Sequence, residues 1–271
     1  DDVVSLPGKS LTAAARAIQR EPAFDVAILF PNSLRSALEI FLAGVPRRVG
    51  YPGHSRRFFL NQIVPETAET GPPEHHAARF LAIAERVGAR TGDIPFVANE
   101  TKIVDLALTK IGLCPGAEYG PAKRWPADRF AETAALVTQK SNAKWVLFGV
   151  ENDRAAGEQI AAALGDSCTN RIGHTSIAQL IDELRECQLL LTNDTGTMHL
   201  AAFVGLPVVA IFGSTEPHLT GPLGKRHVIV RHHVECSPCF LRECPIDFRC
   251  MKAVSAQEVA DAVLSILQSG S

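Results

Sequence analysis

Two absences narrow the field before any motif is read: the chain has almost no net charge and no long apolar run. Lysine and arginine number 27 against 29 aspartate and glutamate, a formal charge of -2, so nothing in the balance calls for nucleic acid. The one small basic cluster, Arg56-Arg57, reads as a solvated loop. No stretch approaches the roughly 18 apolar residues of a membrane span, and the N-terminus carries no signal-peptide pattern, so the expected compartment is the cytoplasm. Internal repeats and low-complexity tracts are missing. So is an initiating methionine: the chain opens at Asp1-Asp2-Val3-Val4 and reads as if an earlier strand had been trimmed away. Seven cysteines, an odd number, argue against a fully paired disulfide framework.

What is present is an ordinary globular composition. The 271 residues, 46% of them hydrophobic, suffice for two domains of roughly 100–150 residues each. The most informative stretch is residues 189–213, LLLTNDTGTMHLAAFVGLPVVAIFG. It reads as strand, glycine turn, helix and strand: apolar Leu189 to Thr192, turn residues Asn193 to Gly196, a helix stopped by Gly205 and Pro207, then a β-branched run to Gly213. Such a βαβ turn is an anion site, because Gly196 lets a ligand approach backbone N–H groups at the positive end of the helix dipole. Asp194 and His199 flank it. An N-capping Asp and a buried His in a plain crossover would give the same spacing.

The alternation extends along the chain. Helices are expected at 11–20 behind Ser10, at 34–43 with Leu34, Leu38, Phe41 and Leu42 inward, and at 75–87 with Phe80, Leu81, Ala84 and Val87 inward. Strands are expected at 24–30 and 45–51, and 53–71 reads as a loop. Residues 88–101 carry little periodicity and mark a boundary near residue 100, giving domains 1–100 and 101–271. The second domain repeats the scheme, with strands at 111–114, 144–149 and 228–230. Its helices are expected at 126–139, 152–164 and 256–267, and a further one opens on the capping box Ser176…Gln179. Alternation of this kind means doubly wound α/β domains, with ligands at the carboxyl ends of the strands. On that basis Lys123, in a loop bracketed by Pro121 and Pro126, is a candidate phosphate cation, and Glu151 or Asp153 a candidate partner for a ribose hydroxyl. A surface lysine and ordinary N-caps remain the alternatives. Cys236, Cys239, Cys244 and Cys250 crowd one loop, and thiolates at that density can share a structural zinc, although five residues separate the last pair. Packed reduced thiols or disulfides are the other readings.

CPGAEYGPAKRWP, the FG pair before an acidic stretch, TNDTGTMHLAA, GLPVVAIFG and CSPCFLRECP, with FPNSLRSAL in the first half, together resemble the ADP-heptose:lipopolysaccharide heptosyltransferases of glycosyltransferase family 9, most closely the heptosyltransferase II branch. The resemblance runs over nearly the whole chain. It implies a GT-B fold of two Rossmann-like domains, the first incomplete. It also implies inverting transfer of heptose from ADP-heptose to the lipopolysaccharide inner core, with no cofactor required, in the cytoplasm or on the inner face of the inner membrane. The family's donor site maps onto Lys123, Asp194, Thr195, Gly196 and His199, with Glu151 for adenosine. The Asp that serves the family as general base has no counterpart in this chain. A nucleotide-sugar binder without catalysis, or a GT-B transferase for another sugar, are the alternatives the resemblance leaves open.

Overall fold

The computed structural model describes residues 3–8, 10–66, 74–91 and 109–269. The chain divides into two compact units, Asp1–Ile94 and Pro95–Ser271. The boundary expected near residue 100 falls among residues 92–108, outside those described.

Among the described residues the first unit holds three helices, α1 (Leu11–Gln19), α2 (Leu34–Leu42) and α3 (His76–Arg86), and a parallel sheet of β1 (Val26–Ile28), β2 (Arg47–Gly50) and β3 (Gln62–Ile63) in that order. Ser10 caps α1 through the Ala13 N–H, as its position suggests, and Ala14, Ala15 and Ile18 are buried. Elsewhere this unit departs from the periodicity. The FDVAILF run makes a strand of only three residues at the sheet edge, with Phe24 and Phe30 exposed. On α2 the fully buried residue is the small Ala37 while Leu34, Phe41 and Leu42 are exposed; on α3 it is Ile83, and Phe80 is exposed. The stretch read as a loop contains β3 and a 3-10 turn at Arg56–Phe58. A three-stranded sheet offers too little area to cover every apolar side chain of its helices, so the apolar stripe overstates what is buried.

The second unit is a six-stranded parallel sheet in the order β6-β5-β4-β7-β8-β9. Its elements in chain order are β4 (Lys110–Cys114), α4 (Ala127–Ser141), β5 (Lys144–Leu147), α5 (Arg154–Leu164), β6 (Cys168–Asn170), α6 (Ile177–Arg185), β7 (Leu189–Asn193), α7 (Gly196–Phe203), β8 (Val208–Ile211), α8 (Pro217–Thr220), β9 (His227–Val230), α9 (Arg249–Lys252) and α10 (Ala256–Ser269). The central strands β4, β5, β7 and β8 are largely apolar because both faces are covered. Ile111, Leu113, Trp145, Leu147, Leu189 and Leu191 join one core with Phe130 of α4 and Val259 and Val263 of α10. The alternate residues Cys114, Val146, Phe148 and Leu190 join a second with Leu184 of α6 and Met198 and Ala201 of α7. Building outward from β4 to β6 and then returning through β7 puts the change of direction between β4 and β7. The loops after those two strands therefore part and leave a crevice.

Phe130 is fully buried and meets Trp125 edge-to-face with ring centroids 4.9 Å apart. Phe130→Ala should cost about 3–5 kcal/mol through the cavity it leaves, and calorimetry should show the second unit melting roughly 10 °C lower.

Candidate functional site

The centre of the crevice is built by the last residue of β7. Asn193 is fully buried; its Oδ1 accepts the Trp125 backbone N–H at 3.1 Å, and its Nδ2 donates to the Pro115 carbonyl at 2.7 Å. One amide thus ties down both ends of the 115–125 loop, which leaves β4. Trp125 is locked further by its indole N–H on the Val254 carbonyl at 3.2 Å. Lys123, two residues before Trp125, lies in a 3-10 turn at Pro121–Lys123.

From that turn Lys123 Nζ reaches Asp194 Oδ2 at 2.6 Å, with the two side chains 12% and 5% exposed. The same oxygen accepts the Thr215 hydroxyl at 2.7 Å, so the loop after β8 contributes as well. Asp194 precedes α7, whose first residue is Gly196. A Cβ on Gly196 would meet no heavy atom of the described residues within 4 Å, so the helix start opens on free space. The arrangement is an ammonium and a set of backbone N–H donors side by side, with one carboxylate holding the ammonium in place. It suits a group that gains negative charge.

Beside it lies a crevice of about 150 Å³, its floor made by Cys114, Gly116 and Gly149 and its walls by Asp153, Thr195 and the start of α6. Burial pushes the Cys114 thiol up to about 11, so it is a neutral packing group. Asp153 is 6% exposed; its carboxylate accepts the Val150 N–H at 3.1 Å and pairs with Arg124 at 3.2 Å. Ile177, 71% exposed, stands at the rim despite its place in the apolar stripe of α6. The capping box forms as the sequence indicates, with Ser176 and Gln179 exchanging bonds at 3.3 and 2.9 Å.

The structure brings together Lys123, Asp194, Thr195 and Gly196. It does not bring Glu151 to the crevice: that side chain is exposed and held in a two-pronged pair by Arg154 at 2.6 Å, which keeps its carboxyl below the usual range. Asp153, two residues on, lines the crevice instead. His199 sits one turn into α7 and is exposed, outside the residues that line the crevice. Arg124 also reaches the crevice through Asp153, and nothing in the sequence sets it apart from its neighbour Lys123.

The cysteine loop packs on the outside of the same machinery. Its Arg242 carbonyl accepts the Ala122 N–H at 3.0 Å, its Phe240 carbonyl accepts the Tyr119 hydroxyl at 2.7 Å, and its Ser237 hydroxyl donates to the Gly213 carbonyl at 2.5 Å. The four thiols named from their spacing gather in this loop, with Cys236, Cys239 and Cys244 near enough to Cys250 to act on its thiol. All seven cysteines are free, and among the described residues no three His, Cys, Asp or Glu side chains are arranged to hold a metal ion. Cys250 is turned in beside Met251 towards Gly213, and the Cys244 sulfur accepts backbone N–H groups, including that of Phe248 at 3.3 Å. Burial alone would raise the Cys244 thiol, but the N–H groups of Ile246, Phe248 and Asp247 outweigh it and bring it below its ordinary value.

The model of glycosyltransferase family 9 (heptosyltransferase) matches residues 12–248. Lipopolysaccharide heptosyltransferase 2 of Escherichia coli (strain K12) is 35% identical over 234 residues, which are 78% of this chain and 66% of that protein. The matched region thus spans just under two thirds of the relative's length. Among solved structures, E. coli ADP-heptose lps heptosyltransferase II superposes with a TM-score of 0.74 at 28% identity over 97% of this chain and 82% of that one. The glycosyl transferase family 9 structure from Veillonella parvula DSM 2008 gives a TM-score of 0.79 at 22% identity over 98% and 82%, a likeness of fold. Two Rossmann-like α/β units of the GT-B class are therefore the architecture of this chain.

Two outcomes follow from the site. Lys123→Met strands a buried carboxylate, so unfolding in urea should show a loss of roughly 3 kcal/mol, and Asp194→Asn in the same chain should restore most of it; a neutral Lys123→Met would mean the pair is not desolvated. Iodoacetamide near pH 8 should modify Cys244 well before Cys114 or Cys187, whose thiols burial pushes up to about 11 and about 12. Peptide mapping by mass spectrometry reads the order, and equal rates would contradict the backbone bonds to sulfur.

Proposed function

The chain belongs to glycosyltransferase family 9, and from that premise we propose that it transfers heptose from ADP-heptose to the inner core of lipopolysaccharide, inverting the anomeric centre without a catalytic metal. The observation that carries the reading is the desolvated Lys123 ammonium fixed beside the open N-terminus of α7 at the switch point of the sheet. In the reaction an acceptor hydroxyl attacks the anomeric carbon and gives up its proton to water, the bond from that carbon to the diphosphate oxygen breaks, and its electron pair leaves on ADP. Lys123 spends one of its three donors on Asp194 and has two for the departing diphosphate, next to the N–H groups at Thr195 and Gly196. Those groups stand still before the reaction begins, so the stabilisation grows with the charge rather than with ground-state binding. Removing one such donor typically costs about 3 kcal/mol of transition-state stabilisation.

The nucleoside lies in the adjoining crevice in this reading. Ile177 and Leu180 offer the base an apolar wall, and Asp153, which lines the crevice, supports a bond to a ribose hydroxyl in place of Glu151, to which the resemblance pointed. His199 is left as a contact to the sugar side of the donor, beyond the diphosphate. A nucleotide-sugar donor of this kind implies a cytoplasmic compartment.

The direct test is release of ADP from ADP-heptose with a deacylated inner-core acceptor. Turnover supports transfer; ADP binding by calorimetry without turnover would leave a nucleotide-sugar binder, and no binding at millimolar ADP would overturn the site. Within the site, Asp153→Asn should raise KM for the donor, or Kd for ADP, about tenfold, the size of a lost bond to a charged acceptor, with kcat little changed. Glu151→Gln should leave both within about twofold, and the reverse pattern would return the ribose to Glu151.

A further inference from the structure

Besides Asp194, the Lys123 ammonium has a second neighbour. Its Nζ lies 4.8 Å from the centroid of the Tyr119 ring, and the guanidinium carbon of Arg242 lies 5.5 Å from the same centroid. One ring thus meets two cations, Lys123 from its own loop and Arg242 from the cysteine loop. The face of a tyrosine ring is negative and attracts a cation within about 6 Å, so both contacts fall where the ring holds charge. The ring is itself pinned, because its hydroxyl donates to the Phe240 carbonyl at 2.7 Å. The segment that accepts it is fixed in turn: the Phe240 N–H donates to the Ser214 carbonyl at 2.8 Å, and the Arg242 carbonyl accepts the Ala122 N–H at 3.0 Å.

Packing does not account for this side chain. Tyr119 is 42% exposed, and among the described residues it joins neither hydrophobic core of its unit. Its contacts bear on Lys123 instead. The ammonium is confined by Asp194 Oδ2 at 2.6 Å and by the ring at 4.8 Å, and the two restraints differ in kind. Asp194 brings a formal charge that offsets that of the lysine. The ring attracts through its quadrupole and adds no formal charge, so it steadies the ammonium without cancelling the field a phosphate would feel. A lysine stem has four flexible carbons, and without the ring it regains rotamers that carry the charge away from one fixed place.

We propose that Tyr119 is a positioning residue for the transfer reaction: it acts through Lys123, holding the ammonium where the departing diphosphate gathers charge, and the cysteine loop serves the site by anchoring that ring. The proposal rests on the role given to Lys123 above, and it predicts a difference that a packing role does not. ADP carries one more negative charge than the diphosphate of ADP-heptose, on the oxygen that the broken bond releases. A well-placed ammonium therefore favours ADP over the intact donor.

Calorimetry of the full chain with ADP and with ADP-heptose, in the absence of acceptor, reads this difference. Tyr119→Leu should weaken ADP about fivefold and ADP-heptose by less than about twofold, the scale of one cation–π contact. The side chain is half exposed, so the melting temperature should stay within about 2 °C. Tyr119→Phe keeps the ring and should restore most of the affinity for ADP. In a Lys123→Met background Tyr119→Leu should cause no further loss, the non-additivity of two residues that act through one contact. A loss that persists in that background, an equal loss for both ligands, or no loss at all would overturn the proposal. Lys123→Met alone separates the two failures. If it leaves ADP affinity unchanged, the role given to Lys123 fails and Tyr119 falls with it; if it weakens ADP while Tyr119→Leu does nothing, only the positioning role fails.

Discussion

A single buried amide governs the geometry of the crevice. Asn193 satisfies its oxygen on Trp125 and its nitrogen on Pro115, and a buried amide satisfied in this way is costly to disturb because each lost partner would leave a polar atom stranded. Its two contacts close the 115–125 loop into a hoop standing on the sheet. Trp125 wedges the far end into the core, and the cysteine loop braces the outer side through Ala122 and Tyr119. Gly120 shows how close that brace comes: its φ is 154°, and a Cβ there would lie 2.4 Å from the Arg242 carbonyl oxygen. An irregular loop held from both sides keeps its lysine in place without a helix or strand of its own.

The Lys123–Asp194 pair depends on that hoop and should be understood as a positioning device. Taking both charges out of water costs several kcal/mol per ion before their attraction returns anything, so a buried pair is poor value as a source of stability. What it does provide is a fixed ammonium with unspent donors. Asp194 is a suitable holder because Thr215 occupies the same carboxylate oxygen, limiting how strongly it can compete with an arriving phosphate. A cation free to swing would lose much of its effect in reorganisation, and this one has little to lose.

The parts of the chain that could be read from sequence are those where one physical rule acts alone. The second unit was legible where its central strands are buried on both faces and where α6 opens on the Ser176 box, whereas the polar edge strand β6 left no apolar run to read. Lys123, Asp194, Thr195 and Gly196 were legible as neighbours because a switch point collects strand ends whatever the side chains are. Glu151 and Asp153 could not be separated by spacing. Which of them faces the crevice is decided by the 3-10 turn at Glu151–Asp153 and by Arg154, which captures Glu151 locally. In the first unit the apolar stripes of α2 and α3 exceed the sheet available to cover them, and Arg56 is buried against polar backbone where composition suggested a solvated loop. The cysteines are a milder case: four thiols close in sequence stay close in space, but which of them is turned inward depends on packing that spacing does not encode.

The glycines at the crevice floor carry the argument one step further. A Cβ on Gly116 would fall 2.1 Å from the Asp153 carboxylate, and one on Gly149 would fall 3.0 Å from it. Two backbones from different strands therefore converge on one acidic group, and the space that brings them together exists only because neither has a side chain. Such an approach costs conformational entropy in the unfolded chain and weakens both loops, so packing alone would favour alanine and a carboxylate further away. The arrangement makes sense if the carboxylate has to be reached by a ligand passing over bare backbone, and Arg124 then balances the charge when the crevice holds none. The same logic applies at Gly196, where open space rather than close contact surrounds the missing Cβ. Glycine serves opposite ends in the two places: at the floor it lets the protein's own acid come close, and at the helix start it leaves open space before the backbone N–H groups.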